Sequence, residues 1–186
     1  MNIMVVGVGG QGTLLTSRII GKTALAAGHD VKLSEVHGMA QRGGSVVTFV
    51  RFGDKVYEPV VEEGCVDVLI SFERLEAQRY AHFLKPDGVI IVNDTRIEPM
   101  TVVIGAAKYP EGIIEKLSDK HKVHVIDGGT IAKKLGNSKV LNTVVLGLAA
   151  KHIGFSEDEW LEVLKSTVPP KTVEINALAF KAGYDS

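Results

Sequence analysis

Six residues, Gly7-Val8-Gly9-Gly10-Gln11-Gly12, separate a short apolar run, Ile3-Met4-Val5-Val6, from a stretch between Thr13 and Ala27 whose apolar residues recur at helical spacing. An apolar strand that stops in glycines and restarts at once as a helix is the opening of a βαβ unit, in which the glycines allow the chain to reverse tightly and the helix to pack against the sheet. The first glycine permits the turn, the second lets the backbone approach a ligand, and the third lets helix and strand close together. Backbone N–H groups and the helix dipole at such a turn favour an anion. Glu35 closes a second strand, Asp30 to Glu35, 23 positions beyond Gly12. That is near the spacing of a carboxylate that holds a ribose 2′-hydroxyl, so the pattern alone points to a dinucleotide. The same glycines serve equally well as a bare strand-to-helix turn, and spacing does not separate the two.

The rest of the chain extends this scheme. Val66 to Phe72 and Val89 to Asn93 are near-continuous apolar runs, as expected of parallel strands covered on both faces, with a helix from Glu73 to Leu84 between them. Lys85-Pro86-Asp87-Gly88 reads as the turn into the second run. Val102 to Ile104 and Lys122 to Ile126 read as later strands. Ser45 to Arg51 and Lys55 to Tyr57, around Gly53-Asp54, read as an antiparallel hairpin. Asn142 to His152 is a small-residue helix, Ser156-x-x-Glu159 is a capping box opening a helix through Leu164, and Thr172 to Ala182 is a last helix. The expected fold is α/β: a Rossmann-like, doubly wound, mostly parallel sheet with helices on both faces and an antiparallel hairpin. Residues 1–186 read as one domain.

Composition narrows the function. Lys+Arg 21 against Asp+Glu 22 leave a formal charge of −1, with no cationic excess to grip a nucleic-acid backbone. The apolar runs are far shorter than the roughly 20 residues that span a bilayer, and no secretory leader is read at Met1. With one cysteine, Cys65, the chain can form neither an internal disulfide nor a four-thiolate iron–sulfur site. A cytoplasmic protein is expected.

A glycine-rich loop, His37-Gly38-Met39-Ala40-Gln41-Arg42-Gly43-Gly44, follows the second strand, at the sheet end where ligands of doubly wound folds bind. A guanidinium between flexible glycines can fork onto a phosphate or carboxylate, and it can equally pair with a protein carboxylate or a partner subunit. The candidate binding residues are therefore Gly7, Gly9, Gly10, Gln11, Gly12, Arg42, Gly43 and Gly44. No catalytic residue is assigned. The phosphate-loop spacing at Gly7 and Gly12 lacks the following Lys, and Gly21-Lys22-Thr23 lies inside a helix. His121-x-x-His124 is the one close histidine pair, and a surface strand edge accounts for it better than a metal site.

The glycine turn together with Ser34 to Val46, Asn142-x-x-Val145-x-Gly147 and Glu174-Ile175-Asn176-x-x-Ala179-Phe180-x-x-Gly183-Tyr184 resembles the gamma-type subunit family of 2-oxoacid:ferredoxin oxidoreductases, and within it the small (beta) subunit branch of the indolepyruvate enzymes. The resemblance runs through the chain in order. It implies a Rossmann-like module, inactive alone, in a heteromer that decarboxylates a 2-oxoacid to acyl-CoA and CO2 and reduces ferredoxin. The resemblance places thiamine diphosphate, Mg2+ and [4Fe-4S] clusters on a large partner subunit, with coenzyme A as co-substrate and no cofactor on this chain. It also implies no nicotinamide. The residues alone leave a free-standing NAD(P)-dependent dehydrogenase as the alternative, and an interface left bare by a missing partner would favour self-association in isolation.

Overall fold

The structure, a computed structural model, describes residues 1–38 and 43–186. It opens with β1 (Asn2–Val8), α1 (Thr13–Ala26), β2 (Asp30–His37) and β3 (Ser45–Gly53). β4 (Val66–Ser71), α2 (Arg74–Tyr80), a 3-10 turn at Ala81–Phe83 and β5 (Leu84–Asn93) follow. α3 (Met100–Val103), α4 (Ile113–Ser118), β6 (Lys122–Ile126) and α5 (Gly128–Lys134) lead to α6 (Leu141–Ala150), α7 (Glu157–Thr167) and α8 (Val173–Tyr184).

The six strands form one mixed sheet in the order β2-β3-β1-β4-β5-β6. β1, β4, β5 and β6 pair in parallel, whereas β3 lies antiparallel between β1 and β2. The residues from Gly38 to Gly44 are too few for a parallel crossover, which needs a dozen or more, so β3 has to return antiparallel beside β2. Its run Val46-Val47-Thr48-Phe49-Val50 is buried throughout, as a strand flanked on both sides requires.

Alternation along the strands sorts the core into two layers. Ile3, Val5, Val50, Ile70 and Ile91 face α1, α6, α7 and α8, where Trp160 and Phe180 are fully buried. Met4, Val6, Phe49, Leu69, Ile90 and Val92 face the opposite layer, with Leu75 of α2 and Ile113 and Leu117 of α4. Helices thus cover both faces, as the sequence predicts.

Four local expectations need correction. The hairpin is β2 with β3, not β3 with Lys55 to Tyr57. That second segment is no strand, because the Val56 N–H is taken by the Asp30 carboxylate at 2.9 Å and Arg51 Nη1 holds the carbonyls of Glu58 and Val60. Secondly, the first βαβ unit is split, since β3 occupies the place beside β1 that β2 was expected to fill. Thirdly, Val102 to Ile104 is not a strand. Pro99 starts a helical turn there, and its carbonyl accepts from Val102 N at 2.9 Å and Val103 N at 3.1 Å. Lastly, Lys85 to Gly88 lies within β5, where the register slips between the Val66–Leu84 and Val68–Val89 pairs.

Candidate functional site

β1 ends at Val8 and α1 begins at Thr13, which leaves Gly9 to Gly12 to make the turn at the carboxyl end of the parallel strands. Gly10 and Gly12 have φ of 97° and 87°, a region that side-chain-bearing residues rarely adopt. Gly12 is the residue before α1; no side chain caps the helix and its first turn carries no acid. Its N–H groups therefore face outward with the positive end of the dipole.

The predicted residues divide by role. Gly7 and Gly12 are packing positions: a Cβ on Gly7 would meet Gln11 Oε1 at 2.9 Å, and one on Gly12 would meet the Asn142 amide at 3.0 Å. Gln11 bonds to the protein, accepting from Val8 N at 2.7 Å and donating to the Phe72 carbonyl at 3.0 Å. It sews the turn to the ends of β1 and β4. Gly10 is open, and with the half-buried Gly9 it lines a cleft of about 400 Å³ shared with Gly12, Thr13, Glu35 and His37. The Gly9 N–H bonds the Gly44 carbonyl at 2.8 Å, which carries the β1–β3 ladder one rung past Val8–Ser45. Gly43 has φ of 81° and borders a second, far smaller cleft beside Glu73 and Glu76. Arg42, with Met39, Ala40 and Gln41, lies outside the described residues.

Glu35 reaches the rim of the larger cleft, where it accepts a hydrogen bond from Thr48 Oγ1 at 3.3 Å. β3 stands between its strand and β1, so Glu35 lies two strand spacings, roughly 10 Å, from β1, where an undivided βαβ unit would place it one spacing away.

Sequence reasoning missed the polar cluster next to this turn. Glu73, 1% exposed, follows β4 and caps α2 by accepting from Glu76 N at 3.0 Å. Its other oxygen accepts from Ile97 N at 3.1 Å and the Tyr109 hydroxyl at 2.5 Å. Burial, and then this carboxylate, push the Tyr109 phenol well above its ordinary value. Glu76, 3% exposed, accepts from the Ser45 hydroxyl and from Arg79 Nη1 at 3.0 Å. Burial raises its carboxyl above the usual range against the opposing pull of Ser45 and Arg79. Two glutamates three apart at a helix start look like solvated first-turn acids in sequence; only the folded chain brings Ser45 and Tyr109 onto them.

One thiol does not suit a resident four-thiolate cluster. Cys65 is the single thiol and is only partly buried. Among the described residues no three His, Cys, Asp or Glu side chains gather to hold an ion. The His124 and His152 rings meet at a tilt of 42°, with centroids 4.6 Å apart. No helix among the described residues is long and apolar enough to cross a membrane.

Comparison with known proteins agrees with this architecture. The indolepyruvate oxidoreductase subunit IorB of Thermococcus kodakarensis is 42% identical over 188 residues, covering 98% of this chain and 93% of that one. A keto/oxoacid ferredoxin oxidoreductase gamma subunit from Geobacter sulfurreducens superposes with a TM-score of 0.74 at 26% identity, over 99% of this chain and 96% of that one. The fold also recurs, with a TM-score of 0.76 at 22% identity, in 30% of the longer chain of a 2-oxoglutarate:ferredoxin oxidoreductase from Magnetococcus marinus, covering all of this chain. Residues 2–186 match the family described as Pyruvate ferredoxin/flavodoxin oxidoreductase. This chain belongs to that family, as a gamma-type subunit of a multi-subunit 2-oxoacid:ferredoxin oxidoreductase.

Proposed function

We propose that this chain is the small, cofactor-free subunit of an oxidoreductase that converts indolepyruvate or another aryl 2-oxoacid to its acyl-CoA and CO2 and passes the electrons to ferredoxin. The observation that carries the reading is the 42% identity to a subunit named for indolepyruvate, sustained over 98% of the chain. Residues 1–186 act as one gamma-type domain in a cytoplasmic complex. Thiamine diphosphate, Mg2+ and the iron–sulfur clusters belong to a large partner subunit, consistent with a chain that has one thiol.

Gly9, Gly10, Gly43 and Gly44, with Arg42, face that partner or the anionic part of coenzyme A. Free N–H groups at the start of α1 and the 400 Å³ cleft beside them suit a phosphate-bearing group. Gly7 and Gln11 build the turn, and Gly12 both builds it and lines the cleft.

The test is anaerobic reconstitution with the large subunit. Indolepyruvate- and coenzyme A-dependent ferredoxin reduction should appear only with both chains, while the isolated chain leaves NADH fluorescence unchanged. Turnover by the large subunit alone, or NADH binding by this chain, overturns the reading.

A further inference from the structure

The end of the glycine-rich loop is fastened from two sides. On one side Gly44 accepts the Gly9 N–H at 2.8 Å, and the next residue, Ser45, stands opposite Val8 as the final β1–β3 pair. On the other side the Ser45 hydroxyl donates to the Glu76 carboxylate and lies 3.2 Å from the Tyr80 hydroxyl, both on α2. Glu76 itself is held. Its N–H is fixed by Glu73, its second oxygen by Arg79, and it is 3% exposed.

A buried carboxylate costs free energy unless its oxygens find donors, so a fold that keeps one here gains from a stiff, directional contact that an apolar residue would not supply. The Ser45 tether is 31 residues away in sequence and ends on the first residue of β3, directly after the loop. We infer that Glu76 is a positioning residue: through Ser45 it holds the Gly43-Gly44 end of the loop against the glycine turn, keeping the Gly9 and Gly10 surface in the arrangement its ligand meets. Glu76 does not touch that ligand. The inference rests on the reading of this edge as the one facing the partner and coenzyme A.

The experiment compares Glu76→Ala, Glu76→Gln and Ser45→Ala in the complex reconstituted with the large subunit, by amide hydrogen exchange and by steady-state kinetics with coenzyme A varied. Glu76→Ala and Ser45→Ala should speed exchange at least tenfold in peptides spanning residues 7–12 and 43–47, with exchange in α6 unchanged. The KM for coenzyme A should rise about fivefold or more while kcat changes less than twofold. Glu76→Gln, which still offers an oxygen to Ser45, should restore most of both. Unchanged exchange at 7–12 and 43–47 overturns the inference, as does a Glu76→Gln variant as impaired as Glu76→Ala. If Glu76→Ala does not fold, Ser45→Ala alone decides. Faster exchange with unaltered KM and complex affinity leaves the tether standing and overturns the functional reading of the edge.

Discussion

Gly183 of α8 lies so close to Val144 of α6 that a Cβ on it would sit 1.8 Å from the Val144 carbonyl oxygen. Gly147 is the counterpart, with its Cβ position 2.1 Å from the Phe180 carbonyl oxygen. These contacts are with backbone, which cannot swing aside, and Thr143 Oγ1 donates to Asn176 Oδ1 at 2.7 Å within the same seam. Gly183→Ala and Gly147→Ala should each destabilise the chain by about 3 kcal/mol through overpacking. Urea unfolding of the two variants beside Leu178→Ala, on the exposed side of α8, measures this.

The glycine turn carries a graded version of the same argument. Gly12 combines positive φ with the Asn142 amide 3.0 Å from any added Cβ, whereas Gly10 has nothing within 4 Å. Gly10→Ala should cost about 1 kcal/mol of backbone strain. Gly12→Ala adds the Asn142 clash, for about 2–3 kcal/mol in all. Thermal unfolding of both variants should preserve that order.

Glu73 satisfies three donors from three segments, so its removal strands them together. Glu73→Ala should cost about 3 kcal/mol or more, and Tyr109→Phe, which removes one donor and leaves a carboxylate with two others, about 1–2 kcal/mol. A double variant less unstable than the sum, read from denaturant midpoints, would be the signature of their direct contact.

The His124–His152 pair makes stability depend on acidity. Burial first, then Lys122 and Lys151, and for His152 also His124, hold both rings below the ordinary histidine value of about 6.5. Above that value the rings are neutral folded and unfolded, and the pair adds no pH dependence. As pH falls below it the unfolded chain takes up protons first, so stability drops until the folded rings also protonate. The urea midpoint should therefore fall between pH 7 and pH 5, and His152→Gln should flatten that slope.

Where hydrogen bonds and periodicity close within a few residues, the sequence was readable. The Ser156–Glu159 capping box is present with both of its bonds, α1 stops before Gly28 at φ of 87°, and the apolar runs at Val66 and Val89 are parallel strands. Val102 to Ile104 is an exception among local elements: its β-branched residues favour a strand, and the Pro99 carbonyl, three and four residues back, turns them into a helical turn. Lys55 to Tyr57 is no strand because the side chain of Asp30, 26 residues before Val56, takes its N–H and that of Arg51 holds the carbonyls beyond it.

The sequence by itself determined that this chain is a doubly wound α/β protein with a sharp glycine turn at one end of its sheet, one thiol and a gamma-type signature. The fold, the turn and the single thiol follow from spacing, composition and local conformational cost, whereas the signature is a resemblance. Only the tertiary structure decided that β3 would lie between β1 and β2, that Gln11 would turn inward, and that Glu73 and Glu76 would be buried under Tyr109 and Ser45. Each depends on which strands become neighbours. That choice is made by burying whole faces of the sheet at once, and no short window of residues records it.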